Sequence, residues 1–79
     1  MDAKEIRSPL PGIFYRSPSP EEPPFKTDGD AVSIGDVIGL VEVMKSFHQV
    51  EATISGSNIK FVVENEAPVT AGVTLAELD

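Results

Sequence analysis

Glu42-Val43-Met44-Lys45-Ser46-Phe47 joins two strand-like segments without a single ordinary turn residue. Before the bend, Val37-Ile38-Gly39-Leu40-Val41-Glu42-Val43 is almost uniformly apolar, which predicts a strand covered on both faces. After it, His48, Val50, Ala52 and Ile54 alternate with Gln49, Glu51 and Thr53, the period of a strand with one buried face. The chain must therefore reverse at Met44 and Lys45. Tight hairpins favour Asn-Gly or Asp-Gly because those residues tolerate positive φ, an ease that neither Met nor Lys offers. A local rule broken between two well-formed elements is a place to look for function. Here it presents one lysine amine beside an apolar methionine.

The rest of the chain fits a small all-β domain. Its 79 residues allow one domain, with 41% apolar and 24% charged residues. A chain this short hides only about 60–65% of the surface it exposes when unfolded. No apolar run approaches the roughly 20 residues of a membrane span, and Met1-Asp2-Ala3-Lys4-Glu5 does not read as a secretory signal. Zero cysteines exclude a disulfide framework and agree with a cytoplasmic setting. A net charge of −7 argues against nucleic acid and membrane surfaces as partners. It serves solubility, or steering toward basic protein partners.

Six of the seven prolines lie from Pro9 to Pro24, and helical periodicity is missing. Alternation at Ile59, Phe61 and Val63 and a segment from Thr74 to Leu78 predict further short strands, so the expected fold is a small sandwich or flattened barrel. An internal repeat sharpens this. Val32-Ser33-Ile34-Gly35-Asp36-Val37-Ile38 matches Val69-Thr70-Ala71-Gly72-Val73-Thr74-Leu75 at an offset of 37, and Ile6 to Gly12 matches Val50 to Gly56 at an offset of 44. Two similar halves would differ by about seven residues inserted in the first, between Gly12 and Gly35. That interval holds Arg16-Ser17-Pro18-Ser19-Pro20-Glu21-Glu22-Pro23-Pro24-Phe25, whose prolines preset an extended backbone able to protrude at small ordering cost. Lys45 falls just before the junction of the halves.

Three stretches carry a family resemblance: Ser8-Pro9-Leu10-Pro11-Gly12-Ile13-Phe14-Tyr15-Arg16-Ser17-Pro18-Ser19-Pro20, then Gly35-Asp36-Val37-Ile38 leading to Glu42-Val43-Met44-Lys45, then Glu51-Ala52 through Ser55-Gly56. Together they resemble the biotinyl domain of biotin carboxyl carrier proteins, in particular those of bacterial acetyl-CoA carboxylase. The resemblance implies a flattened barrel of two four-stranded antiparallel sheets with quasi-two-fold symmetry, the biotinyl/lipoyl hammerhead, over residues 1–79. It also implies that the insertion at about 16–25 is a protruding thumb. Lys45 would carry biotin in amide linkage, attached by a biotin protein ligase, with Glu42, Val43, Met44 and Ser46 flanking it. A solvated alkylamine is protonated at neutral pH, so the ligase must supply both an activated acyl donor and a route for the proton. The resemblance further implies that biotin takes up a carboxyl group at a biotin carboxylase, from ATP and bicarbonate, and delivers it at a carboxyltransferase. The cofactor then carries the chemistry and the protein supplies position and high local concentration.

Two departures stand out. The usual tetrapeptide has Ala and then Met-Lys-Met, whereas here Val43 precedes Met44 and Ser46 follows Lys45, replacing a soft apolar contact with a polar one. Asn58 stands where the family has an apolar strand residue, and burial there would demand hydrogen-bond partners. Family carriers commonly have a longer N-terminal segment, so a fragment or a small paralogue is expected. Elsewhere the residues read as structural: His48 has no base, acid or metal companion, Glu21 and Glu22 form a charged tip, and Asp28 and Asp30 bracket Gly29 in a turn rather than bind calcium. A lipoyl carrier of a 2-oxo acid dehydrogenase-type complex is the first alternative, opposed by Met44, since lipoyl hairpins resemble Asp-Lys-Ala. An unmodified interaction module of the same fold is the second. No nucleophile, base and orienting group can be assembled for independent enzyme activity.

Overall fold

The computed structural model describes residues 4–79; Met1, Asp2 and Ala3 of the expected 1–79 domain lie outside the described residues. Seven strands follow in chain order: β1 (Lys4–Arg7), β2 (Gly12–Tyr15), β3 (Val37–Val43), β4 (Ser46–Glu51), β5 (Ile59–Phe61), β6 (Ala67–Val69) and β7 (Thr74–Leu78). Antiparallel pairing gives a four-stranded sheet in the order β4-β3-β2-β6 and a three-stranded sheet in the order β1-β7-β5. The second sheet is thus one strand short of the four expected. An isolated antiparallel bridge between Val32 and Gly56 stands in its place. Val32 lies three residues from each of two left-handed glycines, Gly29 (φ 98°) and Gly35 (φ 94°).

The repeat predicted from sequence recurs in the hydrogen bonds. Gly35 N–H donates to the Ala52 carbonyl and Ala52 N–H to the Asp36 carbonyl, each at 2.8 Å. At the related positions Gly72 N–H donates to Ser8 O and Ser8 N–H to Val73 O, also at 2.8 Å. Gly72 is left-handed like Gly35 (φ 87°), and the Val32–Gly56 bridge has its counterpart in the Val69–Gly12 pair. Even the bulges correspond. Ile38 is the extra residue where β3 meets β4, and Leu75 is the extra residue where β7 meets β1.

These bulges explain where the burial pattern of β3 departs from expectation. Ile38 and Gly39 both face inward and Val41 follows, while Leu40, Glu42 and Val43 are only half-buried. The apolar run reflects a bulged strand with one buried face, not a strand covered on both. On β4 the alternation holds at Val50 and continues to the buried Ala52, but the strand ends at Glu51 and His48 is exposed. β4 is an edge strand, and its half nearest the bend runs past the core. Pro68 sits in β6, the other edge of that sheet, where a missing N–H is tolerated. Asn58 is exposed just before β5, and the buried position belongs to Ile59. Between the sheets Phe14, Ile38, Val41, Ile59 and Leu75 are fully buried in one core.

The insertion can be located by the same correspondence. Arg16 N–H donates to Asn65 Oδ1 at 2.8 Å, and Phe61 N–H donates to Asp28 Oδ1 at 3.0 Å. From Arg16 to Asp28 is twelve residues along the chain, from Phe61 to Asn65 only four. The excess is eight residues rather than about seven, because the second half carries one residue more between Gly56 and Ile59. Phe25 N–H donates to the Arg16 carbonyl at 2.9 Å and closes the proline-rich loop at its neck.

Candidate functional site

Val43 pairs with Ser46, so Met44 and Lys45 alone make the turn between β3 and β4. Both are left-handed, Met44 at φ 50° and Lys45 at φ 68°. A two-residue hairpin needs such angles because only they match the right-handed twist of its strands. For non-glycine residues the conformation costs roughly 1–2 kcal/mol each. The ladder from Val43–Ser46 through Leu40–Gln49 offsets that cost and holds the bend. Lys45 and Ser46 are exposed, and Met44 is 93% exposed.

The two faces of the hairpin differ. On one, Val43 is half-buried opposite the exposed Ser46, and His48 is exposed opposite Val41. On the other, Glu42 lies opposite Phe47, and the Tyr15 hydroxyl on β2 donates to Glu42 Oε1 at 3.0 Å. The Tyr15 and Phe47 rings are 5.8 Å apart and tilted by 58°, a favourable aromatic arrangement. The bond to Glu42 raises the Tyr15 pKa above its usual 10, helped by partial burial and by the charges of Glu42 and Glu66. Phe47 is 56% exposed although pinned along one side. Between it and the proline-rich loop runs a groove of about 350 Å³, with Tyr15, Pro18 and Pro20 along it and Glu66 at its margin.

The loop is anchored from below. The Arg16 guanidinium lies 4.7 Å from the Phe61 ring centre and donates through Nη2 to Val63 O at 2.6 Å. Its Nε is buried without a partner, so the stacking on Phe61 rather than full hydrogen bonding sets its place.

Of the residues singled out in the sequence, the structure brings Glu42, Val43, Met44, Lys45 and Ser46 together at one exposed end. Asp28 and Asp30 accept backbone N–H bonds, from Phe61 and Thr27, as turn residues do, and among the described residues no group of three or more potential ligands could hold a metal ion. Tyr15, Phe47 and Glu66 were not read as site residues. Phe47 had a signal available, an aromatic in a strand that is otherwise polar as far as Gln49; the convergence of Tyr15 and Glu66 on it had none, since they come from distant strands and loops.

A short-looped β hairpin thus carries an exposed lysine at its apex, on a flattened two-sheet frame with internal two-fold repetition. Consistent with that architecture, the family profile described as "Biotin-requiring enzyme", the biotin/lipoyl profile, matches residues 4–78. The chain belongs to this family. It is 46% identical over 70 residues to the biotin carboxyl carrier protein of acetyl-CoA carboxylase of Chlamydia trachomatis, covering 89% of this chain and 43% of that protein. To the protein of that name in Pseudomonas aeruginosa it is 39% identical over 69 residues, covering 87% and 44%. To the chloroplastic biotin carboxyl carrier protein of acetyl-CoA carboxylase 2 of Arabidopsis thaliana it is 40% identical over 70 residues, covering 89% and 28%. The chain thus spans less than half the length of these relatives. Among the described residues no helix is long and apolar enough to cross a membrane.

Proposed function

We propose that this domain is a biotin carboxyl carrier in which biotin is joined through an amide to Lys45 Nζ. The observation that carries the reading is the two-residue bend, which holds Lys45 in a left-handed conformation at an exposed apex of a family attachment domain. The surroundings fit a tethered bicyclic group: the amine faces solvent, and the adjacent groove has apolar and polar walls. When bound, biotin supplies a ureido nitrogen able to take up and release a carboxyl group. The chain's own residues present the amine, keep the hairpin rigid and offer the partner surfaces.

The partners in this reading are a biotin protein ligase, a biotin carboxylase that uses ATP in the cytoplasm, and a carboxyltransferase, those of acetyl-CoA carboxylase or a related enzyme. The chain itself catalyses no step. Residues 16–25 serve as the thumb beside the cofactor. Met44 supports biotin over lipoate, because the acidic neighbour expected before a lipoyl-lysine is missing. Coexpression with a biotin ligase or a lipoate ligase, followed by intact-mass measurement, tests the proposal. A biotin adduct on the wild type and none on Lys45→Ala is expected. A lipoyl adduct on Lys45 would overturn it, and carboxylation undiminished by Lys45→Ala would favour an unmodified interaction module.

A further inference from the structure

Four large apolar side chains are exposed among the described residues: Ile34 at 70%, Met44 at 93%, Phe47 at 56% and Val62 at 46%. Scattered single apolar residues need no explanation. Phe47 differs from Ile34 and Val62 because its exposure is organised. Its ring rests on Tyr15 at 5.8 Å, Tyr15 is fixed by its 3.0 Å bond to Glu42, and Glu42 is the cross-strand partner of Phe47 itself. The ring is therefore held by a closed loop of contacts, two residues from Lys45, with a free edge toward solvent. A rigid aromatic of this kind loses little conformational entropy on being covered, the property that makes aromatics interface anchors.

The ring also has a charged surround. Glu42 accepts from the Tyr15 hydroxyl, and Glu66 lies at the groove margin close enough to raise the Tyr15 pKa. The whole chain adds a net charge of −7. An apolar anchor with a carboxylate margin is complementary to an apolar pocket edged by lysine or arginine. The opposite face of the hairpin offers no such anchor: Ser46 and His48 are polar and exposed there.

We infer that the enzyme which acylates Lys45 docks on the Tyr15 face of the hairpin, taking the Phe47 ring into a basic-edged apolar pocket. Phe47 thereby supplies the apolar contact that Ser46 does not. The inference rests on the proposed attachment at Lys45. It assigns this face to the acylating enzyme rather than to the later partners because that enzyme alone meets the bare hairpin. The later partners receive a tethered cofactor that brings recognition of its own, whereas before attachment only protein contacts can select the site.

The test is steady-state acylation of the unmodified domain by a purified biotin protein ligase with biotin and ATP, read as KM for the domain and kcat separately. Phe47→Ala is expected to raise KM about tenfold with kcat little changed, as for loss of an interface anchor. Ile34→Ala, an exposed apolar change far from the bend, is expected to leave both constants at wild-type values. Glu66→Gln is expected to raise KM about twofold and to weaken its dependence on salt. Circular dichroism checks folding, and Phe47→Leu, which keeps apolar bulk without the ring, reads the same KM direction should the alanine variant unfold. Wild-type KM in the folded Phe47 variants would overturn the docking face while leaving attachment intact. Failure of the wild-type domain to accept biotin would sink the attachment reading and the docking face with it.

Discussion

Phe61 to Asn65 closes in four residues a corner that Arg16 to Asp28 closes in twelve, yet both corners are fastened by the same bond, a backbone N–H to an Asx side-chain oxygen. The halves share a frame and differ in what hangs from it. The first half carries the proline-rich loop and ends at the strained bend with its lysine, whereas the second closes the loop's corner in four residues. Symmetry therefore serves the barrel, and the proline-rich loop is where the two corners part.

The largest expected effect tests the core of that comparison. Gly39 on β3 corresponds to Ala76 on β7, and Phe14 on β2 to Ile59 on β5, so one half combines glycine with a ring and the other alanine with an aliphatic chain. A Cβ built at Gly39 would lie 2.5 Å from the Phe14 ring and 2.7 Å from the Tyr15 carbonyl. Gly39→Ala is expected to destabilise the domain by about 1–3 kcal/mol in urea unfolding, as overpacking does. Adding Phe14→Ile should make the two changes non-additive, as contacts within one cluster do. Full additivity would break the correspondence at this point.

A smaller effect is expected from removing the asymmetry itself. Deleting Ser17 to Pro24 takes out eight residues and leaves Arg16 and Asp28 four apart, the spacing found in the other half. The ends are already joined by the Phe25 to Arg16 bond, and none of the excised residues is buried. The shortened domain should fold and still accept a group on Lys45, with an altered environment for that group. Loss of the β-sheet circular dichroism signal would show instead that the loop belongs to the core.

The smallest effect concerns one carboxylate without a counterpart. Asp36 accepts from Ser33 N–H at 2.9 Å and faces Lys26 at 3.2 Å, and both lower its pKa below the usual 3.8, the Ser33 bond more; the matching residue in the second half is Val73. A lowered folded-state pKa contributes stability that is present above the unfolded value and lost as pH falls through the folded one. Asp36→Asn should therefore narrow the stability difference between pH 7 and pH 3 seen in thermal unfolding, with little consequence at the bend. An unchanged pH profile would mean that Asp36 does not contribute.

Much of this was legible in the chain itself. The bend at Met44 and Lys45 is legible because an apolar run and an alternating segment meet without turn residues, and the repeat because residues match in register at two offsets, Gly35 over Gly72 among them; both glycines prove left-handed. Legibility failed where tertiary context decides. The bulge at Ile38 turned a one-faced strand into an apolar run, Pro68 concealed β6 because its edge position cannot be seen locally, and pairing of the Val32 segment through a single bridge is set by its neighbours in space. Tyr15, Phe47 and Glu66 are brought together only by strand pairing and the packing of loops.

Met44 and Lys45 hold angles that neither residue favours, and only the paired strands on either side keep them there. A short synthetic peptide with the same six letters would relax out of the kink. Anything that recognises the kinked shape therefore distinguishes intact domains from denatured chains.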